Sequence, residues 1–238
     1  MTPDGSRVPG GEREAWRARD WPPIPLRDLG PAYTAKGGVS VFIMEDATRR
    51  DWRSVSAQAA HVLLHAVTGN PTLRIEKDSR GKPFISGQSL HVSISHSGAV
   101  FALALGSVDL GIDVEYLRHP ARWHAVYDWI NRPEDRLANP SADDFLRCWT
   151  GKEALVKLLG TGLNQGLDTV SLPHDAAPGA TSTYPHALSF KEVTVEGRAC
   201  WVTHLVPWKE MTVSLAIEKP QFVHTFNIID YRCYPLLK

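Results

Sequence analysis

Two stretches of this chain share one pattern, in which an amphipathic helical segment ends at a glycine and apolar, strand-like segments follow. The first helical segment covers 47–67 and ends at Gly69, and the second covers 144–159 and ends at Gly160. Apolar residues recur in both at the spacing of one helix face, and glycine commonly terminates a helix. A helix followed by antiparallel strands, repeated over roughly 100 residues each time, predicts a duplicated α+β unit. One mixed domain without internal symmetry is the alternative.

The strand-like segments suggest how the chain divides. Residues 1–38 are rich in proline, glycine and charge, which predicts an irregular lead-in. We expect an N-terminal half at 39–108 and a C-terminal half at 109–238, each a helix with an antiparallel sheet. The predicted strands are 39–43, the hairpin 90–94 and 100–105 around the turn Ser97-Gly98, and then 110–115, 188–195, 200–205 and 212–217.

Composition argues against several classes of protein. The 26 lysines and arginines balance the 26 aspartates and glutamates, so no net field draws the molecule to nucleic acid or to a membrane. The three cysteines follow no CxxC or Cys/His spacing, which argues against a disulfide framework or a zinc site. We read neither a signal peptide nor an apolar run of about 18 residues. These features predict a soluble, cytoplasmic protein.

A pair of acids alternates with branched residues in the segment Gly-Ile-Asp-Val-Glu, which ends at Glu115. Side chains two apart on a strand project from the same face, so Asp113 and Glu115 would stand side by side. A divalent cation would relieve their repulsion, and Mg²⁺ prefers such oxygen ligands. Taken alone, an edge strand with two solvated acids explains this motif equally well.

A second motif lies on the predicted helix 144–159. Glu153 and Lys157 are four residues apart, which places them on one helix face. An ordinary surface ion pair has the same spacing. The glycine-marked helix end at Gly160-Thr161-Gly162 and the acid motif upstream make the combination more specific than either part.

A third motif gathers small hydroxyls and basic side chains at predicted turns. Ser95 and His96 lie in the segment 93–98, and Arg80-Gly81-Lys82 precedes it. Donors, positive charge and closely approaching backbone suit a phosphate-rich ligand. A simple hairpin turn and a basic loop are the alternative readings.

Together and in this order, the motifs Arg-Gly-Lys-Pro, Ser-His-Ser-Gly, Gly-Ile-Asp-Val-Glu and Trp-Thr-x-Lys-Glu-Ala-x-x-Lys resemble those of the 4'-phosphopantetheinyl transferases, specifically the long, surfactin-synthetase-activating type. The resemblance runs from about Arg80 to Leu163. It implies a monomer of two fused, pseudo-twofold halves with coenzyme A in the cleft between them. It also implies transfer of phosphopantetheine to a serine of an acyl, peptidyl or polyketide carrier protein.

The resemblance assigns roles to individual residues. Asp113, Glu115 and Glu153 match the family's Mg²⁺-binding acids, while Glu153 and Lys157 match its catalytic pair. The residues expected to contact coenzyme A are Arg80, Lys82, Ser95, His96, Lys152 and Lys157.

Two departures from the family pattern are visible. Ser93 stands where the family often has asparagine, and the family's amino-terminal basic residues have no clear match in Arg49, Arg50 or Arg53.

Two other functions fit parts of the sequence. One is a carrier-binding relative without catalysis, although all three acids and Lys157 are present. The other is a Mg²⁺ phosphohydrolase, although the chain has no GxxxxGK[ST] loop. For carrier docking, Arg118, Arg122 and Trp123 are candidate contacts.

Overall fold

The computed structural model describes residues 23–31, 38–45, 52–116, 123–162, 166–173, 190–205 and 211–229. Within them the chain forms three α-helices and eleven strands. The helices are α1 (Ser56–Thr68), α2 (Trp123–Ile130) and α3 (Ala142–Leu159). The strands are β1 (Pro23–Pro25), β2 (Gly38–Glu45), β3 (Ile75–Lys77), β4 (Pro83–Ile85), β5 (His91–Ser97), β6 (Val100–Gly106), β7 (Leu110–Tyr116), β8 (Lys191–Val195), β9 (Arg198–Leu205), β10 (Met211–Ile217) and β11 (Phe222–Ile229).

Two sheets and two helices form four layers. The first sheet has the strand order β1-β11-β2-β6-β5, and the second has the order β7-β10-β9-β8. One face of the first sheet packs on α1, and its other face packs on the second sheet. The far face of the second sheet packs on α3. The structure is therefore a mixed α+β protein, as the sequence predicts.

Strand β2 shows how the sequence produces these layers. Val39, Val41 and Ile43 enter the apolar layer between the sheets. Phe42 and Met44 point the other way, into the core beneath α1. Since both faces are covered, residues 41–44 of the strand form a continuous apolar run rather than an alternating one.

Both predicted helix ends are confirmed. Gly69 and Gly160 each adopt the left-handed conformation with φ of 66°, which glycine enters without steric cost. At its start α3 carries a capping box, in which the Ser141 side chain accepts the Asp144 N–H and the Asp144 side chain accepts the Ser141 N–H. Helix α1 begins later than predicted, at Ser56, because Trp52 to Val55 form a turn.

The predicted strands are present within the described residues, but the first sheet is mixed rather than wholly antiparallel. Strand β11 was not predicted from the sequence. It lies between β1 and β2 in that sheet and is parallel to both. A segment from the predicted C-terminal half thus completes the first sheet. The division at 108/109 and the pseudo-twofold relation remain predictions.

In the described part of the chain, no helix combines the length and the apolar character that crossing a membrane requires.

Candidate active site

A pocket of about 570 Å³ opens beside strands β5 and β7, between α1 and α3. Its walls come from α1, the β3–β4 ribbon, β5, β7 and α3. Of the residues named from the sequence, the pocket is lined by Arg80, Lys82, Ser95, His96, Asp113, Glu115, Glu153 and Lys157. The three sequence motifs therefore meet in one place.

Gly111 allows α3 to lie directly on β7. A Cβ atom at this position would be 2.1 Å from the Ala154 carbonyl oxygen and 2.5 Å from the Leu158 nitrogen. Only glycine permits this approach without moving the helix backbone. The close contact brings Glu153 and Lys157 of the helix over the acids of β7.

Lys157 reaches across the pocket to β7. Its Nζ donates to Asp113 Oδ1 at 2.6 Å and to Ser95 Oγ at 3.1 Å. The Asp113 side chain is buried, and among the described residues its Oδ2 has no hydrogen-bond partner. A buried carboxylate oxygen without a partner is costly, so this atom suits a bound cation or donor.

Glu153 is a buried carboxyl in a negative environment. Burial, together with the charges of Asp113 and Glu115, raises the pKa of Glu153 to about 7, while Lys157 opposes the rise. A carboxyl with a pKa near neutrality is suited to proton transfer. Among the described residues, no three His, Cys, Asp or Glu side chains are already close enough together to hold a metal ion.

The turn motif is placed differently from the prediction. Ser95 and His96 belong to β5 and are not in a turn, because β5 and β6 remain paired as far as Ser97 and Val100. The connection consists of Gly98, with φ of 56°, and Ala99. Ser95 faces β7, and its hydroxyl donates to Asp113 Oδ1 at 2.7 Å.

Lys82 and Arg80, the basic residues of the Arg-Gly-Lys-Pro motif, lie in different surroundings. Lys82 Nζ donates to Asp109 Oδ1 and to the Leu158 carbonyl at 2.6 Å, so it holds the end of α3. The Arg80 side chain is exposed, and its Nε lies 3.9 Å from Asp78 Oδ2. Arg80 therefore points a charge toward solvent at the pocket rim.

Lys152 is not brought to the pocket, which corrects the sequence assignment. It is fully buried, and its Nζ donates to the Ile130 carbonyl at 2.6 Å. Burial lowers the pKa of Lys152. The side chain leaves α3 toward the end of α2, whereas Glu153 and Lys157 point at β7.

The predicted docking residue Trp123 is also placed elsewhere. It is buried and stacks on Phe145, so it is unavailable to a carrier. Arg118 and Arg122 lie outside the described residues, as do Arg49 and Arg50.

The sequence reading missed two parts of the lining. Helix α1 contributes Ser56, Ala57, Ala60 and His61. Lys77 lines the pocket from β3, two residues after Ile75, and this alternation could have identified it.

The chain is similar to known proteins of one family. The model of the 4'-phosphopantetheinyl transferase superfamily matches residues 109–206, which include Asp113, Glu115, Glu153 and Lys157. The 4'-phosphopantetheinyl transferase AcpT of Escherichia coli K12 is 31% identical over 136 residues, 54% of this chain and 67% of the relative. The 4'-phosphopantetheinyl transferase psf-1 of Bacillus pumilus is 29% identical over 142 residues, 51% of this chain and 60% of the relative.

The match to psf-1, like that to the Salmonella typhimurium AcpT, spans 60% of the relative's length. The AcpT match from E. coli reaches two thirds of that protein at 31% identity. With the family model lying over the acid motif and the Glu153–Lys157 helix, the chain belongs to the 4'-phosphopantetheinyl transferase superfamily.

Proposed function

We propose that this chain transfers the 4'-phosphopantetheine group of coenzyme A to a serine of an apo-carrier protein. The observation that carries the proposal is the meeting of Lys157, Asp113 and Glu153 in a pocket whose other wall holds Arg80 and Lys77. Such a pocket offers positive charge to a pyrophosphate at one end. At the end where phosphoryl transfer would occur, it offers a carboxyl that can take up a proton.

We further propose that Mg²⁺ is the cofactor. The donor set fits this ion, since Asp113 offers a buried, unpartnered oxygen among the described residues. Burial and the charges of Asp113 and Glu115 also raise the pKa of Glu153 to about 7, and a cation would relieve the repulsion among these acids. Asp113, Glu115 and Glu153 would hold it. When bound, the ion supplies charge neutralisation to the pyrophosphate.

The chain's own residues account for the remaining chemistry. The carrier serine oxygen attacks the phosphorus attached to pantetheine, a new P–O bond forms, and the bond to the bridging oxygen of the pyrophosphate breaks. The leaving group is 3',5'-adenosine bisphosphate. Lys157 stabilises charge on the phosphate and leaving group, and Glu153 takes the serine proton, directly or through a water.

The nucleotide end of coenzyme A is proposed to lie toward the basic side of the pocket. His96, Arg80 and Lys77 border that side. Lys82 also lies there, with its ammonium already held by Asp109 and by α3. Ligands with and without the 3'-phosphate test this placement.

The monomeric state and the fused pseudo-twofold halves are part of the same proposal. Helices α1 and α3 each end at a left-handed glycine and each cover one of the two sheets. One chain thus supplies both walls of the pocket. The cytoplasmic location stays a prediction from the sequence.

One assay tests the proposal. The protein is incubated with coenzyme A, Mg²⁺ and an apo-carrier protein, and the carrier is weighed by mass spectrometry. A mass gain of one phosphopantetheine is expected. Nucleotide breakdown without carrier modification would identify a phosphohydrolase, and carrier binding with neither reaction would identify a non-catalytic binding protein.

A further inference from the structure

Three serines of β5 join the two sheets. Ser93, Ser95 and Ser97 alternate along the strand and are buried. Each hydroxyl accepts a backbone N–H from β7, the edge strand of the second sheet. The bonds run from Ile112 N to Ser93 Oγ at 3.0 Å, from Val114 N to Ser95 Oγ at 3.3 Å, and from Tyr116 N to Ser97 Oγ at 3.3 Å.

Two of these hydroxyls also hold an acid of β7. Ser95 Oγ donates to Asp113 Oδ1 and Ser97 Oγ donates to Glu115 Oε2, both at 2.7 Å. A hydroxyl has one proton and two lone pairs. With the backbone N–H fixing one lone pair, the proton of each serine is directed at its carboxylate.

The Ser95 hydroxyl has its hydrogen-bonding capacity filled. It accepts from Val114 N and from Lys157 Nζ, and it donates to Asp113. A phosphate oxygen could bind this hydroxyl only by displacing the aspartate. The described contacts therefore favour a role for Ser95 in holding Asp113 over the predicted contact with the nucleotide.

We propose that Ser97 is a positioning residue for Glu115, as Ser95 is for Asp113. Ser97 is 1% exposed and is not among the residues that line the pocket, so it would act on a bound ion through Glu115 rather than by direct contact. The inference rests on the proposed function, because it concerns the acids assigned to the metal ion. A carboxylate with one fixed oxygen presents the other in a narrow range of directions.

Removing the hydrogen-bond partner of a metal ligand typically weakens metal binding by about 10- to 100-fold. Mn²⁺ is a convenient probe because its binding to the whole chain can be followed by titration calorimetry and by electron paramagnetic resonance. We expect Ser97→Ala to bind Mn²⁺ about tenfold more weakly than the wild-type protein does.

Ser93→Ala is the matched control. Ser93 makes the same backbone bond as Ser97, but no hydrogen bond from it to an acid is found among the described residues. Both variants lose one link between the sheets, so both should show a similar decrease in unfolding temperature. Only Ser97→Ala should lose Mn²⁺ affinity by about tenfold.

A double-mutant cycle separates positioning from packing. In a Glu115→Gln background the ligand that Ser97 orients is already gone, so adding Ser97→Ala should leave Mn²⁺ affinity unchanged. Equal fold-losses in both backgrounds would overturn the proposal. If Ser97→Ala does not fold, Ser97→Cys keeps the volume with a much weaker donor and should lose affinity in the same direction.

The outcomes distinguish this inference from the proposed function. If the wild-type protein binds Mn²⁺ but does not modify a carrier, the transferase proposal fails and the cycle still decides the role of Ser97. If the wild-type protein binds no Mn²⁺, or if Ser97→Ala binds it normally, the positioning role is wrong.

Discussion

Removing the Glu153 carboxyl should make the folded protein more stable at high pH. Burial and the adjacent acids raise the pKa of Glu153 from the ordinary 4.5 to about 7. The folded state then holds a proton that the unfolded state releases, so ionisation opposes folding. This cost is absent below pH 4.5, grows as the pH rises, and is complete above pH 7.

The magnitude follows from the same values. At 1.36 kcal/mol for each pH unit, a rise from 4.5 to about 7 corresponds to about 3 kcal/mol of unfolding free energy. Glu153→Gln has nearly the same shape and never ionises. We expect it to exceed the wild-type stability by up to about 3 kcal/mol at pH 8, and by less than about 1 kcal/mol at pH 5.

Urea denaturation in EDTA at the two pH values measures this difference. Glu134→Gln, at an exposed position, is the control and should change stability little at either pH. Adding Mg²⁺ at pH 8 should stabilise the wild-type protein more than Glu153→Gln, because the proposed ion site uses the charged carboxylate. Equal stabilities of Glu153→Gln and the wild type at pH 8 would refute the reasoning.

Three further perturbations test other parts of the site. Lys157→Ala removes the ammonium from Asp113 and should slow transfer to an apo-carrier about a hundredfold or more, which rates within threefold of wild type would contradict. Gly111→Ala places a methyl group 2.1 Å from the Ala154 carbonyl oxygen and should cost about 2 kcal/mol or more in urea denaturation; a change below about 0.5 kcal/mol would show that α3 moves freely. His96→Ala should weaken binding of coenzyme A about tenfold or more in titration calorimetry yet hardly affect dephospho-coenzyme A, whereas equal losses would show that His96 does not contact the 3'-phosphate.

Features that depend on neighbouring residues were predictable from the sequence. Gly69 and Gly160 end their helices as expected, because the left-handed conformation is a local property of glycine. The side-by-side acids of β7 follow from strand alternation. The pairing of Glu153 and Lys157 on one face follows from helix periodicity.

Features that depend on distant packing were not predictable. Lys152 and Lys157 lie on one helix, but Lys152 is directed to the end of α2 and Lys157 to β7. The sequence predicts Trp123 as an exposed docking residue, but α2 packs it on Phe145. The serine links across the sheets required knowledge of which strand edges meet.

The position of β11 affects how the protein folds during its synthesis and whether its two parts can be produced separately. Phe222 pairs with Gly38 and Asn227 pairs with Ile43, so the strand beside β2 is translated long after β2 itself. The first sheet cannot be completed until residue 229 has emerged from the ribosome. Strand pairings this distant in sequence also form slowly. Residues 39–108 expressed alone would expose the edge of β2, a template for aggregation. The two halves are therefore expected to be obtainable only together, and a nascent chain arrested before 222 should remain accessible to proteases.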